Sequence, residues 1–336
     1  MSASSSPEAR LLTRGNVTLE PRTRSGKGRS PWFWRSDGEP FQPRWQTAPY
    51  DVPVKDSLKA KLDEAARKQH PVLVLSREDY DAGDRIPEEI ARVTNLHAIS
   101  AFGASNIPDS VGELVGLDSL SVWEGSVAHV PATIGSLVNL RTLELKGNKR
   151  IATLPDSIAH LGKLELLDVG SNALEVLPEA VGELTALRTL VVSYNPLARL
   201  PSTLGELAQL RELYAHSCQL TAFPDVELRA LSRLVLAFNR LRTFPISVCR
   251  CTALRDLDIG KNAIPELPDE IAQLTSLEEL HLWSNPLKVL PEALRRLPRL
   301  RELGVDPGRK WPKDLRKEIS ARRKRFRRDN PDVVHD

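Results

Sequence analysis

Two groups of side chains in this 336-residue chain have the types that acid–base chemistry uses. His281 with Asp258 would be a base oriented by a carboxylate, with Tyr214 nearby; Glu144 with Asp168 would be a carboxylate pair. Each is only half of a catalytic arrangement. No Ser or Cys nucleophile is matched to either, no GxxxxGK[ST] loop occurs, and GLDSLSVWEG (116–125) is not a dinucleotide loop. Cys249 and Cys251 stand too close together to staple distant regions, and Cys218 is alone. That is no disulfide framework, and no second Cys/His pair completes a zinc motif. The expectation is therefore no catalytic residue, no metal and no cofactor.

What would position these residues is a repeat. Prolines 87, 108, 131, 155, 178, 201, 224, 245, 268 and 291 follow one another at steps of 21 to 24 residues, each behind an apolar residue. Most close the same phrase: LELLDVGSNALEVLP (164–178), LRTLVVSYNPLARLP (187–201), LEELHLWSNPLKVLP (277–291). A fixed period of this length predicts a stacked array rather than a globule. In each unit the L-x-L segment reads as a short strand with leucines inward and the residues between them outward. Asn148, Asn172, Asn195, Asn239, Asn262 and Asn285 share one column, with Cys218 and Gly125 replacing two members. A buried amide there can satisfy turn backbone of neighbouring units. By the same register Cys251 takes a leucine slot and Cys249 a glycine slot, so both read as buried small residues.

The phrase L-x-x-L-x-L-x-x-N-x-L over about 72–305 resembles the 23-residue leucine-rich-repeat class of the Ras-suppressor, scribble and plant intracellular Ras-group-related proteins. Several bacterial type III effectors carry similar arrays. The resemblance implies an α/β solenoid: a leucine-rich-repeat horseshoe with a parallel concave sheet, about ten repeats and helical caps at both ends. It implies little about function, because the fold hosts many unrelated partners. The tract RWQTA (44–48) resembles the Xanthomonas outer protein L group; that group's ligase region has no counterpart after residue 336, so its activity is not carried over.

Strand alternation lets the concave columns be read in advance. The middle column includes Glu144, Asp168, Val191, Tyr214, Val235, Asp258 and His281, and the next Trp123, Lys146, His216 and Trp283, with Tyr194 and Phe238 beside it. A solenoid does not need Trp123, Tyr194, Tyr214, Phe238 and Trp283 on its open face, and Trp and Tyr dominate interface hot spots. Trp123 and Trp283, seven repeats apart, should be separated by on the order of 30 Å at the strand spacing. The expected occupant is a protein: apolar opposite Val191, Tyr214 and Val235, basic opposite Asp256, Asp258, Glu279 and Glu302. The expected binding residues are Trp123, Glu144, Lys146, Asp168, Tyr194, Tyr214, His216, Phe238, Asp258, His281 and Trp283.

The ends differ from the array. Residues 1–50 read as a flexible basic N-terminal arm whose segment 31–45 packs three of six tryptophans and two of seven phenylalanines, suited to docking on the array or on a partner. Residues 51–308 hold a capping helix around DSLKAKLDEAARKQH (56–70), with Asp56 as N-cap and Pro71 as stop, then VLVL as first strand and the array. Residues 309–336 form a basic capping helix and tail, with Trp311, Leu315, Ile319 and Phe326 near one stripe. Its run 322–328 is either a solvated cap face or a nuclear-import-like, acidic-partner or membrane-surface patch. Residues 309–328 carry eleven Lys/Arg against two Asp/Glu, which leaves the array net acidic and argues against nucleic acid in the groove. No stretch is apolar enough to span a bilayer or act as a secretory signal. The expectation is a cytoplasmic, non-catalytic protein-binding scaffold or adaptor in signalling, with no small-molecule substrate and a monomer favoured. The alternative is a type III secreted effector, exported without a cleavable signal peptide into a host cell, cytoplasmic or nuclear there, that binds or mimics a signalling or ubiquitin-pathway component.

Overall fold

A computed structural model describes residues 58–68, 71–80, 84–306, 312 and 314–329. The N-terminal arm with its 31–45 segment, Asp56 and Trp311 lie outside the described residues. Within them the leucine phrases become eleven short strands: Val72–Leu75 (β1), Ala98–Phe102 (β2), Ser119–Trp123 (β3), Thr142–Glu144 (β4), Leu166–Asp168 (β5), Thr189–Val191 (β6), Glu212–Tyr214 (β7), Arg233–Val235 (β8), Asp256–Asp258 (β9), Glu279–His281 (β10) and Glu302–Gly304 (β11). They form one parallel sheet in sequence order. Each repeat thus buries its leucines only against its neighbours, the arrangement of a leucine-rich-repeat solenoid.

The prolines do a defined job. Nine of the ten sit immediately before a short 3₁₀ helix, with φ between −65° and −79°. The pyrrolidine ring fixes that angle, and an N–H missing at the start of a helix costs no hydrogen bond. After Pro224 no 3₁₀ helix forms, and Val226 N–H instead reaches back to the Pro224 carbonyl at 3.0 Å. The 3₁₀ helices then supply the second core wall, as with Val181 and Leu184 facing Leu187, Leu190 and Val192, all fully buried.

The asparagine column is a hydrogen-bond ladder. Asn195 donates from Nδ2 to the Val169 and Val192 carbonyls at 2.9 Å each, and its Oδ1 accepts the Leu174 N–H at 2.9 Å. Asn172, Asn262 and Asn285 repeat the pattern of donation to two successive repeats. Cys218 keeps only weak contacts, its Sγ 3.5 Å from the Val192 and His216 carbonyls. All three cysteines are buried free thiols, and burial pushes Cys218 up to about 11 and Cys249 up to about 12. They stay protonated and inert.

Both ends are sealed. Helix Leu58–Ala66 (α1) presents Leu58, Leu62 and buried Ala65 to the core, while Ala66 is exposed. Lys61 locks it to the first repeat, 2.8 Å from Asp79 Oδ2. Helix Leu315–Asp329 (α2) buries Leu315 and Ile319 against the last repeat. Part of the 322–328 run serves this cap: Arg322 donates to the Leu297 carbonyl at 2.6 Å, and Phe326 lies under the Arg301 guanidinium at 3.8 Å. Lys324, Arg325, Arg327 and Arg328 point to solvent. No helix among the described residues is long and apolar enough to cross a membrane.

Candidate functional site

The outward residues of β2 to β11 lie side by side, as the pairing of Glu144 with Asp168, Val191 with Tyr214 and Asp258 with His281 shows. Depth, however, is not uniform. Phe102 and Trp123 are 38% and 41% exposed, whereas Asp168, Tyr214, Asp258 and His281 are all buried. The expected water-facing strip is therefore corrected along its midline. Long side chains on strands about 4.8 Å apart roof over their shorter neighbours.

The edge beyond the midline is aromatic. Phe102 meets Trp123 edge-to-face at 5.2 Å, Tyr194 meets His216 at 4.8 Å, and Phe238 meets Trp283 at 5.1 Å. Cations sit over two of these pairs, Arg77 over Phe102 at 5.9 Å and Lys261 over Phe238 at 4.5 Å. Trp283 lies across Gly260, where an added Cβ would strike the indole. Tyr194 and Phe238 hold φ of 58°, a left-handed conformation costing an ordinary side chain roughly 1–2 kcal/mol. The turn imposes it, since Glu124, Ser171, Ser217, Lys261 and Ser284 share it. Bulky rings thus occupy positions the backbone disfavours for them. Phe102 and Arg77 were not among the expected binding residues; the alternation that singles out Trp123 also puts Phe102 beside it in the same column.

The acids and histidines of the midline are built into the protein's own network. Ser121 Oγ donates to Glu144 at 2.7 Å, and Lys146 is half-buried beside it. Asp168 accepts the Gly170 N–H at 2.8 Å; burial, aided by Glu144 and opposed by that bond and Lys146, pushes it up to about 6. Asp258 accepts the Gly260 N–H in the same way and is pushed up to about 7, mainly by burial. Burial holds His216 down to about 4, and burial with the Arg233 charge does the same to His281. The Tyr214 hydroxyl donates to Glu212 at 2.9 Å, and burial raises its pKa. Arg233 pairs with Asp256 at 3.0 Å, Arg301 with Glu278 at 2.7 Å and Glu279 at 3.2 Å, and Arg323 with Glu302 at 3.6 Å. Most of the acids expected to meet a basic partner therefore already meet this chain's own arginines.

The structure thus brings Asp258 and His281 onto adjacent strands but commits Asp258 to its turn. Glu144 and Asp168 are neighbours on an open sheet, but Glu144 accepts from Ser121 and buried Asp168 is committed to the Gly170 N–H. What remains outward is the aromatic edge with its two cations, a surface able to contribute apolar area and cation–π contacts.

Residues 124–244 match a leucine-rich repeat region family model, and 229–287 and 252–306 match a leucine rich repeat model. None of the curated proteins compared matches the chain significantly. Among solved structures, the leucine-rich-repeat protein LIC12759 of Leptospira interrogans is 24% identical with a TM-score of 0.51, over 81% of this chain and 90% of that one. The leucine-rich repeat domain of the type III effector XCV3220 (XopL) is 24% identical with a TM-score of 0.55, over 74% and 81%. The Arabidopsis receptor kinase HAESA, in complex with the peptide hormone IDA and the co-receptor SERK1, is 25% identical with a TM-score of 0.57; the match covers 68% of this chain and 44% of that one.

Proposed function

The chain carries a leucine-rich-repeat solenoid, and from that premise we propose that it is a non-catalytic scaffold or adaptor that grips a protein along the aromatic edge of its concave sheet. The observation that carries this is the run of three edge-to-face pairs, Phe102–Trp123, Tyr194–His216 and Phe238–Trp283, on one side of the sheet. None of these rings belongs to the buried leucine core, and two occupy left-handed backbone. Proteins of this fold meet peptides and receptors, as the HAESA complex illustrates. The partner should present an apolar surface broad enough to bridge strands β3 and β10, with acidic groups positioned for Arg77 and Lys261. We assign no catalytic role to Asp258 and His281.

Alanine at Trp123 or Trp283 is expected to weaken partner binding at least tenfold each, the scale of an interface anchor, with the far-ultraviolet circular dichroism unchanged. Unchanged affinity in both folded variants would place the partner elsewhere. Tyr214 is not a useful probe, since its removal would open a cavity. An exported effector acting inside a host cell is the second reading. It rests on the Ser-rich start, MSASSSPEAR (1–10), and on the resemblance of the array to effector repeats. A reporter fused to the first 30 residues and challenged with a type III secretion system decides it: export favours the effector, retention the resident scaffold.

A further inference from the structure

Three side chains of ligand type converge on the concave face near its C-terminal end. Asp256 on β9 and Glu279 on β10 are directly paired, and His281 stands two residues beyond Glu279. Two-residue spacing keeps Glu279 and His281 on one face, and the strand step brings Asp256 beside them. One potential ligand atom from each lies within 4.8 Å of the others. Ligand atoms around a tetrahedral zinc with bonds of about 2.1 Å are about 3.4 Å apart, so side-chain rotations on the order of 1 Å would close the site.

The surroundings supply a second, independent reason to look for a cation. Asp256 is only 7% exposed, its Oδ2 is committed to Arg233 at 3.0 Å, and its Oδ1 has no hydrogen-bond partner. A buried carboxylate oxygen without a donor is costly, and such orphans call for an ion or a water. Asp256, Glu279 and Glu302 lie near Arg233 and Arg301, and Arg323 reaches Glu302. Arg301 holds one oxygen of Glu279 and is itself pinned by the Phe326 ring of α2. Arg233 and Arg301 are thus placed to orient carboxylates that ligate through their other oxygen, as groups behind a metal's ligands commonly do.

We propose that Asp256, Glu279 and His281 form a divalent-metal site on the concave sheet, with one imidazole and two carboxylates, a set suited to zinc. One imidazole with two oxygens favours zinc or a similar transition ion over calcium and magnesium, which take oxygen alone. Three protein ligands leave a position facing the groove, where water or a donor from a bound protein completes the set. The sheet holds all three ligands on rigid strands, which suits a site needing fixed geometry. An ion there would add positive charge to the groove whether or not the aromatic edge holds a partner.

The test uses the full chain stripped with chelator, titrated with zinc chloride by calorimetry and with cobalt(II) by visible absorption. The expected result is saturable zinc binding and cobalt d–d bands, both weakened at least tenfold by His281→Ala and by Glu279→Gln, and both unchanged by His97→Ala, which removes a half-buried histidine beside Asp118. Glu279→Gln keeps side-chain volume, so it decides the matter if His281→Ala fails to fold. Absence of binding in the unmodified chain, or binding undiminished in the folded variants, would overturn the proposal.

Discussion

Gly125→Ala is expected to destabilise the array by about 3 kcal/mol or more, the upper end of what one added methyl costs in a packed interior. Gly125 stands in the asparagine column, yet it has no room for any side chain. A Cβ there would fall well under 3.0 Å from the Ala104 carbonyl oxygen and 2.9 Å from Asn148 Oδ1. The carbonyl is fixed, because Ala104 O already accepts the Ser126 N–H at 2.9 Å. Asn148 is fixed too, donating to the Val122 and Leu145 carbonyls at 2.8 Å each. Neither neighbour can yield without breaking a ladder bond. Urea denaturation of the two forms checks this, and equal midpoints would mean that the second and third repeats are looser than the structure has them.

Asp168→Asn is expected to become progressively more stable than the unmodified chain as pH rises from about 4 to 6, the difference approaching 3 kcal/mol at most and then levelling. In the folded chain burial holds this carboxyl near 6, against an ordinary 3.8. Between those values the native state keeps a proton that the unfolded state has lost. Its contribution is therefore complete below the unfolded pKa and disappears as pH climbs through the folded one. An asparagine Oδ1 can still accept the Gly170 N–H, so the turn is preserved while the titration is removed. His216, held near 4, contributes oppositely between about 4 and 6.5, which is why the comparison must be with the Asp168 variant and not with wild-type stability alone. A stability difference independent of pH would show that Asp168 is ionised in the fold.

Much of the architecture is legible from residue columns. Leucines, prolines and asparagines recur because each has one physical task per repeat: filling the core, setting φ before the 3₁₀ helix, and bonding two repeats at once. The face of each strand residue follows from alternation, and so Trp123, Tyr194, Phe238 and Trp283 were identifiable on the sheet's open side. Depth was not. Alternation places Asp258, His281 and Tyr214 outward, but it carries no information on whether Arg233, Glu212 or Trp283 from adjoining repeats will cover them. Side chains from strands some 23 residues apart decide that. For the same reason no motif spacing reveals Asp256, Glu279 and His281 as a cluster, since their closeness comes from strand register. The left-handed backbone of Tyr194 and Phe238 was hidden as well, because glycine marks that turn position at only Gly103 and Gly147.

The most direct measurement places a photo-crosslinking amino acid at Trp123 and at Trp283, on the concave edge, and at Val115 and Val138, exposed on turns outside the sheet. If the aromatic edge is the grip, both tryptophan positions will capture one and the same protein, and neither valine position will. Capture from Val115 or Val138 with none from the tryptophan positions would contradict the account and move the binding surface off the sheet.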